Sequence, residues 1–309
     1  MAKAIAPLWY CADIQTGICA LQDIAQRRDL RDLLLQGVAD KARQGLRAYF
    51  MTLGQLHAET RGYEDRFAAA RASFGLYMPE HSYYRTQWRR TIRRYATMLS
   101  CLSIPSAPAA LSELRAVLAS LARPGEFLTF IHGDIAPFNC LMANDKAWLI
   151  DFENASFAHA LFDVAQARML FPSCGFVNWL PRPLLLELEH TYRIAAQQGL
   201  PAAADDDQFY ASLVAACAYW AINFCTWRSF PEVLAEDCAW GLTTLRHLYV
   251  LRAELFAQTT EEVGRFQALG ATFSAMARKM RVVWPETSTP LLLYPAFRLS
   301  DSFAASDTI

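Results

Sequence analysis

Residues 129–153 read TFIHGDIAPFNCLMANDKAWLIDFE, and three oxygen-bearing side chains in this stretch are spaced for one kind of chemistry. Asp134 follows the apolar, β-prone residues 129–131. Asn139 comes five residues later, and Asp151 ends the apolar run AWLI after a polar turn at Asn144, Asp145 and Lys146. A strand, a loop and a hairpin in that order fold the chain back, so Asp134, Asn139 and Asp151 are expected to converge. Two carboxylates and an amide oxygen at one mouth suit phosphoryl transfer, in which hard oxygens hold magnesium against phosphates and a carboxylate orients an attacking hydroxyl. Asp134 would take or position the hydroxyl proton, and Asn139 and Asp151 would be the magnesium ligands. Each alone reads as an ordinary turn or capping residue, and the joint spacing carries the site reading.

The elements that must position these groups follow from pattern. Residues 7–24 hold two short β-prone pieces around a polar turn closing on Gly17, a hairpin. From about residue 27 to 57 the apolar residues Leu35, Val38, Ala42, Leu46, Phe50 and Leu53 recur at helical spacing, which predicts one or two helices. Residues 64–100 and 109–122 read as helical, parted by the loop-like CLSIPSAPAA. Beyond the β-prone island of residues 127–152 everything reads as helix. Asp205, Asp206 and Asp207 crowd one helix start, and Ser229 with Glu232 and Thr259 with Glu262 have capping-box spacing. The segment after Trp284, rich in Pro, Ser and Thr, is expected to be loosely docked. The fold class expected is α+β and mostly helical.

The run H-G-D-x-x-x-x-N, an apolar strand and I-D-F-E resembles the catalytic and metal-binding motifs of the aminoglycoside phosphotransferase and choline kinase-like family, whose fold is protein kinase-like. The resemblance implies that Asp134 is the catalytic base and that Asn139 and Asp151 bind magnesium. It also implies that Asp163, in LFDVA, braces the loop. LGQLHAET at residues 53–60 resembles the family helix carrying L-x-x-L-H, with His57 as its histidine. ICALQDI at residues 18–24 resembles the strand and hinge that contact adenine, placing Leu21, Gln22 and Asp23 at the nucleotide, and PLWYCAD at residues 7–13 resembles the strand before it. Residues 7–170 keep the family's order. The implied organisation is a remnant of the smaller lobe and hinge at residues 1–24 and a large lobe at 25–285. Within the large lobe lie the catalytic loop at 131–153 and a helical acceptor region at 160–285, and a tail at 286–309 follows. The implied reaction moves the γ-phosphoryl group of ATP or GTP to a hydroxyl of a small molecule. Ala136 and Phe138 stand where many members carry other residues, and neither removes a functional oxygen.

A kinase-like nucleotide site also uses a Gly-rich loop and a strand Lys to grip the triphosphate. No G-x-G-x-x-G occurs, and the lysines are Lys3, Lys41, Lys146 and Lys279, none at a matching place. The chain is therefore expected to start at the fourth strand of the smaller lobe, and the rival reading is a pseudokinase-like binding or scaffold protein, or a truncated gene product. Packing roles are expected for His132 and His57, whose rings would tie down backbone near the loop, and a structural role for Asp163. Glu153 is read as solvated or as support behind the site. Trp220, Trp227 and Trp240 with Tyr219 and Phe224 are read as core rather than as an aromatic box for a quaternary amine.

Charge and composition bound the partners. Basic and acidic residues number 29 and 30, so no overall field draws the chain to nucleic acid or an anionic membrane. The arginines of residues 84–95 read as an exposed helix face. The apolar run at residues 213–225 is shorter than the ~20 residues that cross a bilayer, and the start MAKAIAPLWYCAD reads as neither signal nor transit peptide. The eight cysteines form no metal-binding pattern and read as buried thiols of a cytoplasmic protein. The sequence specifies neither the acceptor nor an oligomeric state.

Overall fold

The computed structural model of the protein describes residues 5–13, 15–75 and 80–298, and of residues 80–86 the backbone alone. In chain order the elements are β1 (Trp9–Asp13), β2 (Ile18–Leu21), β3 (Arg28–Asp29), α1 (Leu30–Gln36), α2 (Ala39–Thr60), α3 (Glu64–Ser73), α4 (Glu80–Cys101) and α5 (Pro108–Ala122). Next come β4 (Leu128–Ile131), β5 (Cys140–Ala143), β6 (Lys146–Leu149), β7 (Ser156–His159), α6 (Leu161–Arg168), α7 (Arg182–Ala196) and α8 (Asp206–Asn223). The described chain closes with α9 (Phe230–Ala235), β8 (Ala239–Trp240), β9 (Thr243–Thr244), α10 (Leu245–Val263) and α11 (Gln267–Val283). The fold is α+β and mostly helical, as its apolar periodicities predict.

The helix at residues 39–60 shows why. Ala42, Leu46, Tyr49, Phe50, Leu53 and Leu56 lie on one face of α2 and are buried, a stripe that a helix covers by packing on neighbours. Its principal neighbour is α7, and the two approach closely at Gly54. A Cβ there would lie 2.7 Å from both the Ala195 Cβ and the Tyr192 carbonyl oxygen, so only glycine fits. The helices α5, α8, α10 and α11 close the remaining core around Leu114, Val117, Leu213, Phe256 and Phe273, all fully buried. Truncating one such side chain to Ala costs ~2–5 kcal/mol. A buried ion pair staples α6 to α7, Arg168 donating to both carboxylate oxygens of Glu189, one at 2.9 Å.

Three small antiparallel pairings serve the site. The hairpin β5–β6 turns at Asn144 and Asp145, both at positive φ (50° and 58°), as a tight primed turn requires, and β3 adds to its other edge. Strand β4 pairs with β7 in the register Leu128↔His159 to Ile131↔Ser156. The hairpin β1–β2 stands apart, with every strand residue exposed.

The structure corrects several sequence expectations. Strand β7 and the short pairing β8–β9 interrupt the region read as wholly helical. Thr259 starts no helix. It lies inside α10, its hydroxyl donating to the Leu255 carbonyl at 2.7 Å, while Glu262 bonds Arg168 at 3.0 Å and also Arg182. Ser229 and Glu232 do form a capping box at α9, and Asp205 caps α8. Val38 sits between α1 and α2 and is exposed rather than on the core stripe. Cys11 and Cys19 are exposed, because among the described residues no layer packs on either face of β1–β2. The segment after Trp284 is docked as far as residue 298. Tyr294 and Phe297 are buried, and Trp179 exchanges backbone hydrogen bonds with Leu292 and Tyr294 at 2.8 and 3.0 Å. Lys3, Ile14 of the first turn, residues 299–309 of the tail, and the side chains of Tyr84 and Arg85 lie outside the described residues.

Candidate functional site

The end of β4 is held by one carboxylate. Asp163, on the first turn of α6 and fully buried, accepts the backbone N–H groups of His132 (2.7 Å) and Gly133 (2.9 Å). Its Oδ2 also receives the His57 Nε2 at 3.2 Å. An Asp in this setting satisfies three donors that burial would otherwise orphan. The His57 Nδ1 in turn meets the Tyr192 hydroxyl at 2.8 Å. That phenol is held well above its ordinary value by burial and then by the Asp163 charge, so it stays protonated and donates. His57 therefore carries its proton on Nε2, toward Asp163.

Gly133 has a φ of 82°, and a Cβ on it would sit 2.4 Å from the Asn154 carbonyl oxygen. The turn that presents Asp134 thus depends on glycine twice, for its dihedral and for the close approach. Asp134 follows, half-buried. Its Oδ1 accepts the Ala136 N–H at 3.3 Å and the Ser173 hydroxyl. His132 secures the backbone around it, Nε2 donating to the Ile150 carbonyl at 2.8 Å and Nδ1 accepting the Asp134 N–H at 3.3 Å. Its ring lies 4.6 Å from that of Phe152.

Asn139 is buried and bonded toward both other residues of the trio. Its Nδ2 donates to the Asp134 carbonyl at 3.1 Å, and its own carbonyl accepts the Ile150 N–H at 3.0 Å. The donation by Nδ2 leaves Oδ1 as the free atom of the amide. Asp151 is the next residue, at φ 64° and ψ 62° in the left-handed region and exposed, a conformation that costs an L residue energy and clusters at functional sites. Its carboxylate accepts no hydrogen bond from the described residues. One ring of hydrogen bonds thus links Asp134, Asn139 and the residue before Asp151. Among the described residues no group of three or more His, Cys, Asp and Glu side chains is arranged to hold a metal ion; the oxygen set here pairs one amide with carboxylates.

The residues expected at a hinge, Leu21, Gln22 and Asp23, lie at and just past the end of β2. The Gln22 N–H donates to the Leu8 carbonyl at 2.7 Å, and the Leu8 N–H donates to the Gln22 Oε1 at 3.2 Å. Asp23 pairs with Arg27, and Leu21 is exposed. The Leu149 N–H donates to the Ile5 carbonyl at 2.9 Å, which draws the segment leading into β1 alongside β6, whose end lies two residues before Asp151. Lys41, Lys146 and Lys279 are exposed, on α2, β6 and α11. Glu153 is exposed. The five aromatics weighed as a box divide into groups: Trp227 stacks on Trp240, Trp220 and Tyr219 pack together beside Phe162, and Phe224 packs on Tyr249.

Three further residues support the loop that motif reading does not single out. Gln166, buried one turn after Asp163 on α6, accepts the Ile135 N–H and donates to the Gly133 carbonyl, at 3.3 and 3.2 Å. Its helical spacing from Asp163 was an available signal. Ser173 on Asp134 and Tyr192 on His57 had none, being brought in from distant parts of the chain.

The family model described as "Phosphotransferase enzyme family" (APH) matches residues 3–205, more than half of the chain. No curated protein is matched. The choline kinase LicA from Streptococcus pneumoniae is similar at 14% identity and a TM-score of 0.39, over 90% of this chain and 75% of that one. A choline/ethanolamine kinase family protein from Mesorhizobium loti is similar at 16% and 0.40, over 93% and 74%. An aminoglycoside phosphotransferase from Alicyclobacillus acidocaldarius is similar at 17% and 0.31, over 76% and 67%. No helix among the described residues is long and apolar enough to cross a membrane. By the family match over residues 3–205, the chain belongs to the phosphotransferase enzyme family.

Proposed function

We propose that the protein transfers the γ-phosphoryl group of ATP or GTP to a hydroxyl of a small molecule at the Asp134 loop. The observation that carries this reading is the hydrogen-bonded ring joining Asp134, Asn139 and Ile150, itself hung on the buried Asp163 carboxylate. Asp134 is the base. Ser173 and Ala136 occupy its Oδ1, which orients the carboxylate and leaves Oδ2 to accept the hydroxyl proton. Asn139, through its free Oδ1, and Asp151, through its unpartnered carboxylate, are hard-oxygen donors of the kind magnesium takes, so the residues present fit that ion. Magnesium bound there would neutralise phosphate charge that otherwise repels the attacking oxygen. Asp163, His57, His132 and Gln166 hold the loop in place, and Leu21, Gln22 and Asp23 border the nucleotide base. Residues 25–285 act as the large lobe, and the hairpin β1–β2 with the residues after it leads into that lobe.

A second reading is a non-catalytic binding protein of the same family, in which the Asp134 loop holds its ligand without turnover. Calorimetric titration with magnesium and ATP or GTP separates the two, with Asp151→Ala as control. Nucleotide binding lost in Asp151→Ala, with acceptor-dependent release of ADP or GDP that falls ~10²- to 10⁴-fold in Asp134→Ala, is the result expected. Binding without turnover against a broad panel of alcohols would favour the second reading.

A further inference from the structure

Between α4, the end of α8 and α9 lies a cavity of about 340 Å³, a size that suits a small metabolite. Its wall carries Arg93, Arg94 and Arg228 against a single carboxylate, Glu232. That carboxylate is already committed, accepting the Ser229 N–H at 2.7 Å and the Ser229 hydroxyl at 2.6 Å. Arg228 pairs at 2.9 Å with Glu236, but that side chain is 81% exposed and outside the cavity. Arg93 has no acidic partner among the described residues, and Arg94 donates to the neutral amide of Asn223 at 2.8 Å. No Asp or Glu lies between Glu80 and Glu113 in the sequence. Arg90 and Arg94, like Arg89 and Arg93, stand four residues apart on α4, where like charges repel.

A fourth cation adds to this field from behind. Arg252 is fully buried and donates to the carbonyls of Met169 (2.8 Å) and Leu170 (3.3 Å), while Nη1 has no hydrogen-bond partner among the described residues. Its charge reaches Cys225 and Tyr249, both of which line the cavity. The remaining wall includes the indole of Trp227, more than half exposed and stacked on Trp240 with ring centroids 5.6 Å apart.

We propose that this cavity binds a small phosphate monoester, its phosphate facing Arg93, Arg94 and Arg228 and its apolar or aromatic body lying on Trp227. With Glu236 counted against Arg228, three guanidinium groups face two carboxylates, and the one positive charge in excess together with their forked donors suits an anionic phosphate ester. Arg89 and Arg90 lie outside the cavity, so a macromolecular polyanion would engage them as well, whereas a small ligand would not. The site also bears on the Asp134 loop. Trp240 donates its indole N–H to the Cys174 carbonyl at 3.1 Å, beside Ser173, which bonds Asp134. The proposal needs neither nucleotide nor magnesium and so stands apart from the phosphotransfer reading.

The full chain titrated with phenyl phosphate, without nucleotide or magnesium, is the test, followed by tryptophan fluorescence and calorimetry. Saturable binding at least tenfold tighter than that of benzoate is expected. Arg93→Gln and Arg228→Gln should each weaken it about tenfold, the effect of one charge-assisted contact, while Arg89→Gln leaves it unchanged and all three melt like the parent. The proposal is overturned by absence of saturation, by benzoate binding as tightly, or by unchanged affinity in both cavity variants. Binding to phosphatidylglycerol vesicles or single-stranded DNA that depends on Arg89 would likewise overturn it in favour of a polyanion surface.

Discussion

Replacing Asp163 by Asn tests whether the buried carboxylate is what holds the Asp134 loop. The native group meets three donors, His132 N–H and His57 Nε2 on Oδ2 and Gly133 N–H on Oδ1. An amide keeps one acceptor and turns the other into a donor. In the better of its two orientations the oxygen keeps His132 and His57, and the NH₂ faces the Gly133 N–H, donor against donor. The lost bond to a charged acceptor costs ~1.5–3 kcal/mol, and the two surviving bonds lose the charge that made them about twice as strong as neutral ones. The total comes to ~3–5 kcal/mol. With an unfolding entropy of ~2.1 cal/mol/K per residue, a chain of this length loses about 5–8 °C in melting temperature for that change. Differential scanning calorimetry at neutral pH reads it directly. Phosphotransfer should fall at least ~10²-fold as well, because Asp134 lies one residue past the released Gly133, and a misplacement of about 1 Å has that effect. A variant melting within 2 °C of the parent would refute the argument, since the loop would then be held without the carboxylate.

Asp151 and His159 give two further tests. Asp151→Gly and Asp151→Ala should both abolish magnesium-dependent nucleotide binding, yet the Gly variant should be the more stable by ~1 kcal/mol, because only glycine adopts the left-handed conformation without penalty. Equal urea midpoints, or binding retained in either variant, would count against this. Burial, with His57 nearby, holds His159 down to about 3, where its ring stacks on Phe127 and its Nδ1 accepts the Leu161 N–H at 3.2 Å. The unfolded chain takes up this proton near pH ~6.5 and the native protein only near 3, so the contribution is full above the unfolded value and lost as pH falls between the two. The loss is ~1.4 kcal/mol per pH unit, or about 2–3 kcal/mol by pH 4.5. Urea midpoints between pH 7 and 4.5 should fall less steeply in His159→Phe than in the parent, and parallel profiles would refute the assignment.

What could be read from the sequence and what could not divides along a physical line. The hairpin β5–β6 is legible because its pairing is local and its turn residues, Asn144 and Asp145, are among the few that tolerate positive φ. Strand β7 is not. Its four residues SFAH carry no alternation, and their partners on β4 lie a loop and a hairpin earlier in the chain. Thr259 and Glu262 fit a helix start as well as Ser229 and Glu232 do. The difference lies in tertiary contacts, for Glu262 is claimed by Arg168 and Arg182 while α10 runs through. The site divides in the same way. Groups proposed to carry a proton or a cation must be of a few chemical types at nearly constant spacing, which writes Asp134, Asn139 and Asp151 into a short stretch of sequence. Groups that hold them in place need only supply one donor or acceptor from wherever the fold brings it. Gln166, Ser173 and Tyr192 meet that need from a neighbouring helix, a later loop and α7; Gln166 is hinted at by its helical spacing from Asp163, while the part of Ser173 and Tyr192 becomes legible only when α2, α6 and α7 have been placed around the loop.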